Sequence, residues 1–213
     1  MLVLFNCLTL LSTFFSFKTY SSVELNEVVV QSDLRRASLF ETAASLSILD
    51  QQIIELREAK HLERLINLIP NVNFSSGASR GRFFQIRGIG ERSQFIQPLN
   101  PSVGLLIDGI DFTGIAGAAT MMDLEQLEVF RGPQGTIYGA NALAGLISLK
   151  SKQPTENTEG NLLVSAGRFD TSSVAAAVGG SLTDHASYRL AVLKHKSDGF
   201  IENEFLQRDD TND

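Results

Sequence analysis

Residues 128–154 read EVFRGPQGTIYGANALAGLISLKSKQP, and the organisation of the chain turns on how they are read. The two ends, EVF and GLISLK, have the apolar and β-branched character of strands. Between and around them glycine recurs at positions 132, 135, 139 and 145. Glycine costs backbone entropy in a strand and adds no side chain to a core, so its recurrence implies positive-φ turns or close backbone approach. Gly132-Pro133 predicts a turn just after Arg131. Gly135 and Gly139 predict a crossing of the chain beneath its own sheet.

Working outward toward the N-terminus, further strands are expected at 45–49 (SLSIL), 83–89 (FFQIRGI), 103–110 (VGLLIDGI) and 127–130 (LEVF). Asp50 is a good cap for a helix following the first of these. Leu62, Leu65, Ile66 and Ile69 fall at i, i+3, i+4 and i+7, one apolar helical stripe, which Pro70 ends. Helices and strands in mixed order imply an α+β domain with a mixed sheet up to about residue 152.

Beyond Pro154 the pattern changes to a period of two. Leu162, Val164 and Ala166 share a face, as do Val174, Ala176, Val178 and Leu182, and then Tyr188, Leu190 and Val192. Small or polar residues occupy the opposite side. Transmembrane β-barrel strands have this signature, and a soluble meander shares it. Residues 197–213 are polar, acidic and aperiodic.

The 213 residues carry 43% apolar side chains and a net charge of −6, which argues against nucleic acid as the main partner. The single cysteine, Cys7, rules out an internal disulfide framework, and histidines at 61, 185 and 195 alone offer little for a metal or a catalytic relay. The first 17 residues, MLVLFNCLTLLSTFFSF, fit the apolar region of a secretory signal, although no Lys or Arg precedes them. Residues 77–81, GASRG, match the G-x-S-x-G pattern of serine hydrolases around Ser79. That motif needs a helix directly after the serine, whereas the adjoining residues are the strand-like RFFQIRG. GPQGTIYG lacks the Gly-Lys-Ser/Thr of a phosphate loop. An enzyme is not the reading these residues favour, and no cofactor is implied.

Residues 128–154 closely resemble the end of the plug domain of TonB-dependent outer-membrane receptors. Other landmarks of that family occur in order: LNEVVV (25–30) is similar to the TonB box, IPNV (69–72) to the family's Pro-Gly-Val, and QIRGIG (85–90) and GLLIDGI (104–110) to internal plug motifs. Asn71 stands where the family has glycine, a change that left-handed backbone tolerates. The resemblance implies an α+β plug domain with a mixed β-sheet and short helices, followed by the first strands of an incomplete transmembrane antiparallel β-barrel. Family members close about 22 strands, roughly 220 residues beyond the plug, so three strands imply an N-terminal part of a receptor, either truncated or continued elsewhere.

On this reading residues 1–21 are a signal peptide, 22–34 the TonB-box segment, 35–154 the plug, and 155–213 the first barrel strands with part of an extracellular loop. The resemblance further implies cell outer-membrane localisation, with lipid around the barrel, a periplasmic N-terminus and TonB of the inner-membrane energising complex as partner. Glu27, Val28, Val29 and Val30 would pair with TonB by strand addition from a mobile leading end. Arg87 and Arg131 would reach glutamates on the barrel wall. The expected small-molecule ligand is a ferric siderophore, with vitamin B12, haem or oligosaccharide as alternatives, and a truncated, non-transporting or merely sequestering fragment is a further one. Arg80, Arg82, Gln94, Phe95 and Phe112 would meet the ligand from plug tips at 75–82, 91–100 and 111–117.

Overall fold

A computed structural model describes residues 29–30, 44–76, 81, 83–92, 100–115 and 121–198. Its centre is a five-stranded mixed sheet of β1 (Leu46–Asp50), β4 (Val103–Ile107), β5 (Ile110–Asp111), β6 (Leu124–Arg131) and β7 (Gly145–Ser151), in the order β1-β6-β7-β4-β5. β4 and β7 run parallel, and the other neighbours are antiparallel. A separate hairpin, β2 (Val72–Ser75) with β3 (Phe83–Ile86), and two short helices, α1 (Gln51–Leu56) and α2 (Leu62–Ile66), lie over one face.

The predicted strands are all present, but 83–89 shortens to Phe83–Ile86 and 103–110 breaks into β4 and β5 around a turn at Asp108 and Gly109. Asp50 caps α1 as expected, its Oδ1 accepting from the Ile53 amide at 2.9 Å. The stripe Leu62, Leu65, Ile66 and Ile69 is wholly buried, but the helix itself stops at Ile66 and two tight turns carry the chain to Pro70. β2 was not foreseen. Asn71, just before it, has φ +60°, the left-handed conformation expected there, and its carbonyl accepts from the Arg87 amide at 2.8 Å.

Alternation along β6 and β7 sorts their side chains between two faces. Leu127, Val129, Ile147 and Leu149 enter the main core with Leu65, Ile66 and Ile86, all of them 0–1% exposed. Each such side chain contributes about 1.5–3 kcal/mol through burial. Phe130 and Leu146 point the other way, into a smaller cluster completed by Leu106, Ala142 and Val30.

The crossing in residues 132–144 differs from its sequence reading. Gly135–Tyr138 is a single helical turn, α3, and Gly139 ends it with φ +81°. Open space surrounds both Gly135 and Gly139, so neither is a point of close passage. The tight approaches are at Gly104 and Gly145. A β-carbon on Gly104 would lie 2.8 Å from the Asn141 carbonyl oxygen, and one on Gly145 would overlap the Phe130 carbonyl and sit 2.5 Å from Ile86 Cδ1.

After a connection over 152–158, three strands form an antiparallel meander in the order β10-β9-β8: β8 (Glu159–Ala166), β9 (Ser172–Thr183) and β10 (Ala186–Lys196). Their register aligns Leu162 with Ala176 and Val192, and Val178 with Leu190, on one face. That face is open: Leu162, Val164, Leu190 and Val192 are 64–71% exposed. The other face lies against the plug, with Ser173 and Ala177 buried. β9 and β10, at 12 and 11 residues, are long enough to cross a bilayer when tilted. Among the described residues the meander does not close on itself.

Gly145→Ala is expected to destabilise the plug by about 3 kcal/mol, because the clash is with backbone and cannot relax cheaply. Gly135→Ala should be neutral or slightly stabilising, since it fills open space in a helical turn. Urea unfolding of the two variants side by side checks the contrast.

Candidate functional site

The sheet has two ends. At one, β4 and β7 begin and β6 finishes, Val103, Gly145 and Arg131 lying in register. At the other, β6 begins and β7 finishes, Leu124 opposite Ser151, and the chain leaves for the meander.

The first end is built from side chains that hold backbone. Glu91 accepts from both the amide and the hydroxyl of Ser102, at 3.0 and 2.9 Å through Oε1. Buried Gln85 donates from Nε2 to Ser75 Oγ at 2.8 Å and to the Glu91 carbonyl. Glu63 accepts from the Gly81 amide at 2.8 Å. Asp111 accepts from the Thr113 amide at 2.8 Å and from Asn141 Nδ2 at 3.0 Å. Partial burial pushes the Asp111 carboxyl up, but hydrogen bonds from the Thr113 hydroxyl and amide and from Asn141 outweigh it and hold the group below its usual value.

Of the residues assigned to ligand contact, Arg80, Arg82, Gln94 and Phe95 lie outside the described residues. Phe112 is described: its ring packs, partly buried, against the main core, and its amide donates to the Leu105 carbonyl at 2.9 Å.

Arg87 and Arg131 converge on one short piece of backbone. Arg87, at φ +54°, donates from Nη2 to Ser45 Oγ at 2.9 Å. The Arg131 amide donates to the Ser45 carbonyl at 2.8 Å, and its Nη2 lies 3.4 Å from the Leu46 carbonyl. Arg131 Nε is buried with no partner among the described residues. A buried guanidinium donor left open costs free energy and is suited to an acceptor arriving from outside the described chain.

The leading segment departs from expectation. Glu27 and Val28 lie outside the described residues. Val30 is 0% exposed, set into the cluster with Leu106, Phe130 and Leu146. Gln126 Nε2 donates to the Val29 carbonyl at 3.1 Å and to Glu128 Oε1 at 2.7 Å. The free tether expected from the sequence is therefore tied down at Val29–Val30. The physical reason is that Phe130 and Leu146 need a cover on the second face of the sheet.

Three groups escaped the sequence reading. The Glu91–Ser102 and Gln85 contacts join positions far apart in sequence and have no local signal. Asp111-Phe-Thr113 is a short aspartate turn and was legible as such. The contact between plug and meander, Asp123 with Arg189, joins residues 66 apart. Beside it, a cavity of about 360 Å³ opens between the plug and the meander's inner face, lined by Ile54, Met121, Leu163, Ala175 and Leu193 among others.

A family model described as the TonB-dependent receptor plug domain matches residues 38–146. The vitamin B12 transporter BtuB of Vibrio vulnificus strain CMCP6 is 30% identical over 148 residues, 66% of this chain and 23% of that protein. The ferrioxamine receptor of Yersinia enterocolitica is 24% identical over 176 residues, 78% of this chain and 23% of that one. Among solved structures, the ferric-catecholate import receptor Fiu of E. coli K12 in its open form superposes with a TM-score of 0.61 at 26% identity, covering 76% of this chain and 22% of Fiu. The ferric yersiniabactin uptake receptor FyuA of Yersinia pestis gives 0.63 at 22% identity, covering 70% of this chain and 24% of FyuA. The chain spans between 22% and 31% of the length of the curated relatives it matches.

Because its folded carboxyl is held low, Asp111 contributes stability that is complete above its ordinary value of about 3.9 and is lost as pH falls through the lower folded value. The stability difference between the wild type and Asp111→Asn, measured by urea unfolding, should be largest near neutrality. It should shrink toward zero as the medium becomes more acidic than that folded value.

Proposed function

As the chain belongs to the TonB-dependent receptor plug family, whose place is the outer membrane, we propose that it forms the plug and first wall strands of a receptor for energised uptake of a ferric siderophore. The observation that carries this reading is the arrangement of the leading segment. Val29 and Val30 lie on one face of the sheet, Val29 at Gln126 and Val30 among Leu106, Phe130 and Leu146, while the Glu91 and Gln85 contacts belong to the hairpin side that covers the other face. A receptor needs this polarity, with its ligand met on one side and its tether drawn from the other.

In the uptake step, the Val29 region leaves the sheet and adds as a strand to TonB, main-chain hydrogen bonds giving grip independent of side chains. Leaving costs the burial of Val30 and the Gln126–Val29 hydrogen bond, a few kcal/mol together. That is small enough for a protein partner to supply. Arg87 and Arg131 turn toward carboxylates of the barrel wall, where the open Nε of Arg131 completes a bidentate pair. No bond of the ligand is made or broken.

The likeness to Fiu and to the ferrioxamine receptor supports a siderophore. The likeness to BtuB favours cobalamin as the second reading. Cells carrying the gene should take up radiolabelled iron from ferrioxamine or a ferric catecholate only when TonB is present. Uptake of labelled cobalamin instead, with no iron uptake, moves the substrate to the second reading, and uptake independent of TonB removes the mechanism.

Val29→Pro is expected to abolish crosslinking to TonB, because proline removes a main-chain donor and fixes φ. Crosslinking at the wild-type level would show that Val29 takes no part in the pairing.

A further inference from the structure

The sequence placed the plug-to-wall contact in plug arginines reaching wall carboxylates. The described residues contain a contact of the opposite polarity. Asp123, on the plug just before β6, is gripped by Arg189 of β10: Nε to Oδ2 at 2.5 Å and Nη2 to Oδ1 at 2.6 Å. This is the two-pronged geometry in which guanidinium and carboxylate planes match. Both side chains are only 10% exposed, so water screens the pair little.

The surroundings are built for it. Arg189 Nη1 also donates to Glu159 Oε1 at 3.2 Å, and Lys152 Nζ lies 3.4 Å from the same oxygen. Opposite Arg189 on β9 is Gly179, where a β-carbon would lie 3.3 Å from the arginine's Cγ and Nη1. The absent side chain makes room for the guanidinium. Asp123 has φ +55°, a conformation that aspartate tolerates better than most residues, and its carbonyl accepts from the Lys152 amide at 2.9 Å. The start of β6 is thus tied to the connection after β7 by a backbone hydrogen bond and to β10 by the ion pair. β1, by contrast, is an edge strand whose partner among the described residues is β6.

We propose that Asp123–Arg189 is the fixed anchor of the plug to the wall, holding the start of β6 against β10. The anchor does not depend on how the leading segment is pulled.

The test compares Asp123→Asn, Arg189→Gln and the double variant in the whole chain reconstituted in lipid. Asparagine keeps the size and the left-handed tolerance of aspartate and removes its charge. Each single change should raise amide hydrogen exchange at 123–126 and 152–160 at least tenfold, while exchange in Leu105 and Ile147 stays at the wild-type level and reports an intact core. The double variant should be no faster than the faster single one, because both changes break one interaction. Additive acceleration, or none, overturns the anchor. The exchange measurement involves neither TonB nor ligand, so a failed uptake assay leaves the anchor standing, and additive exchange sinks it even where uptake proceeds.

Discussion

The pairing of β6 with β7 is the constraint on which the rest of the structure depends. These strands lie in the middle of the sheet and are buried on both faces, so two separate sets of side chains must be covered. The helices and the β2–β3 hairpin cover one set. Over the other, among the described residues, lie Val30, Ala142 and their immediate neighbours. Val30 of the leading segment is therefore a structural part of the sheet, and the pairing proposed for that segment has to reverse its attachment.

The same two-sided burial brings polar groups into the interior. Glu128 is fully buried on the second face, aligned with Ile48 and Ser148 across the strands, and Gln126 donates to it. A buried carboxylate is tolerable only with such donors. The Gln126 amide that donates to Glu128 also holds the Val29 carbonyl. One side chain thus contributes both to hydrogen bonding inside the sheet and to restraint of the leading segment.

Between plug and meander the physics changes. The outer face of β8–β10 exposes leucine and valine to what, in an outer membrane, is hydrocarbon, while the inner face meets the plug through small residues and charge pairs. Small residues leave a gap there, visible as the cavity beside Asp123. Apolar packing cannot fix the two parts rigidly across such a gap. A bidentate ion pair shielded from water can, because it specifies direction as well as distance.

The sequence by itself determined what depends on neighbours along the chain. The apolar stripe from Leu62 to Ile69, the Asp50 cap, the left-handed Asn71, the alternation past Pro154 and the family motifs were all legible, because period, capping and positive φ are local properties. It did not determine which glycines are crowded: Gly104 and Gly145 are tight only because Asn141 and Phe130 are folded onto them. Nor did it show that Val30 is buried, that the Phe112 ring packs on the core, or that Asp123 pairs with Arg189 of β10. Each of those is decided by segments tens of residues apart meeting across a sheet face. Burial and charge pairing are properties of the assembled surfaces, and no local pattern encodes which surfaces will meet.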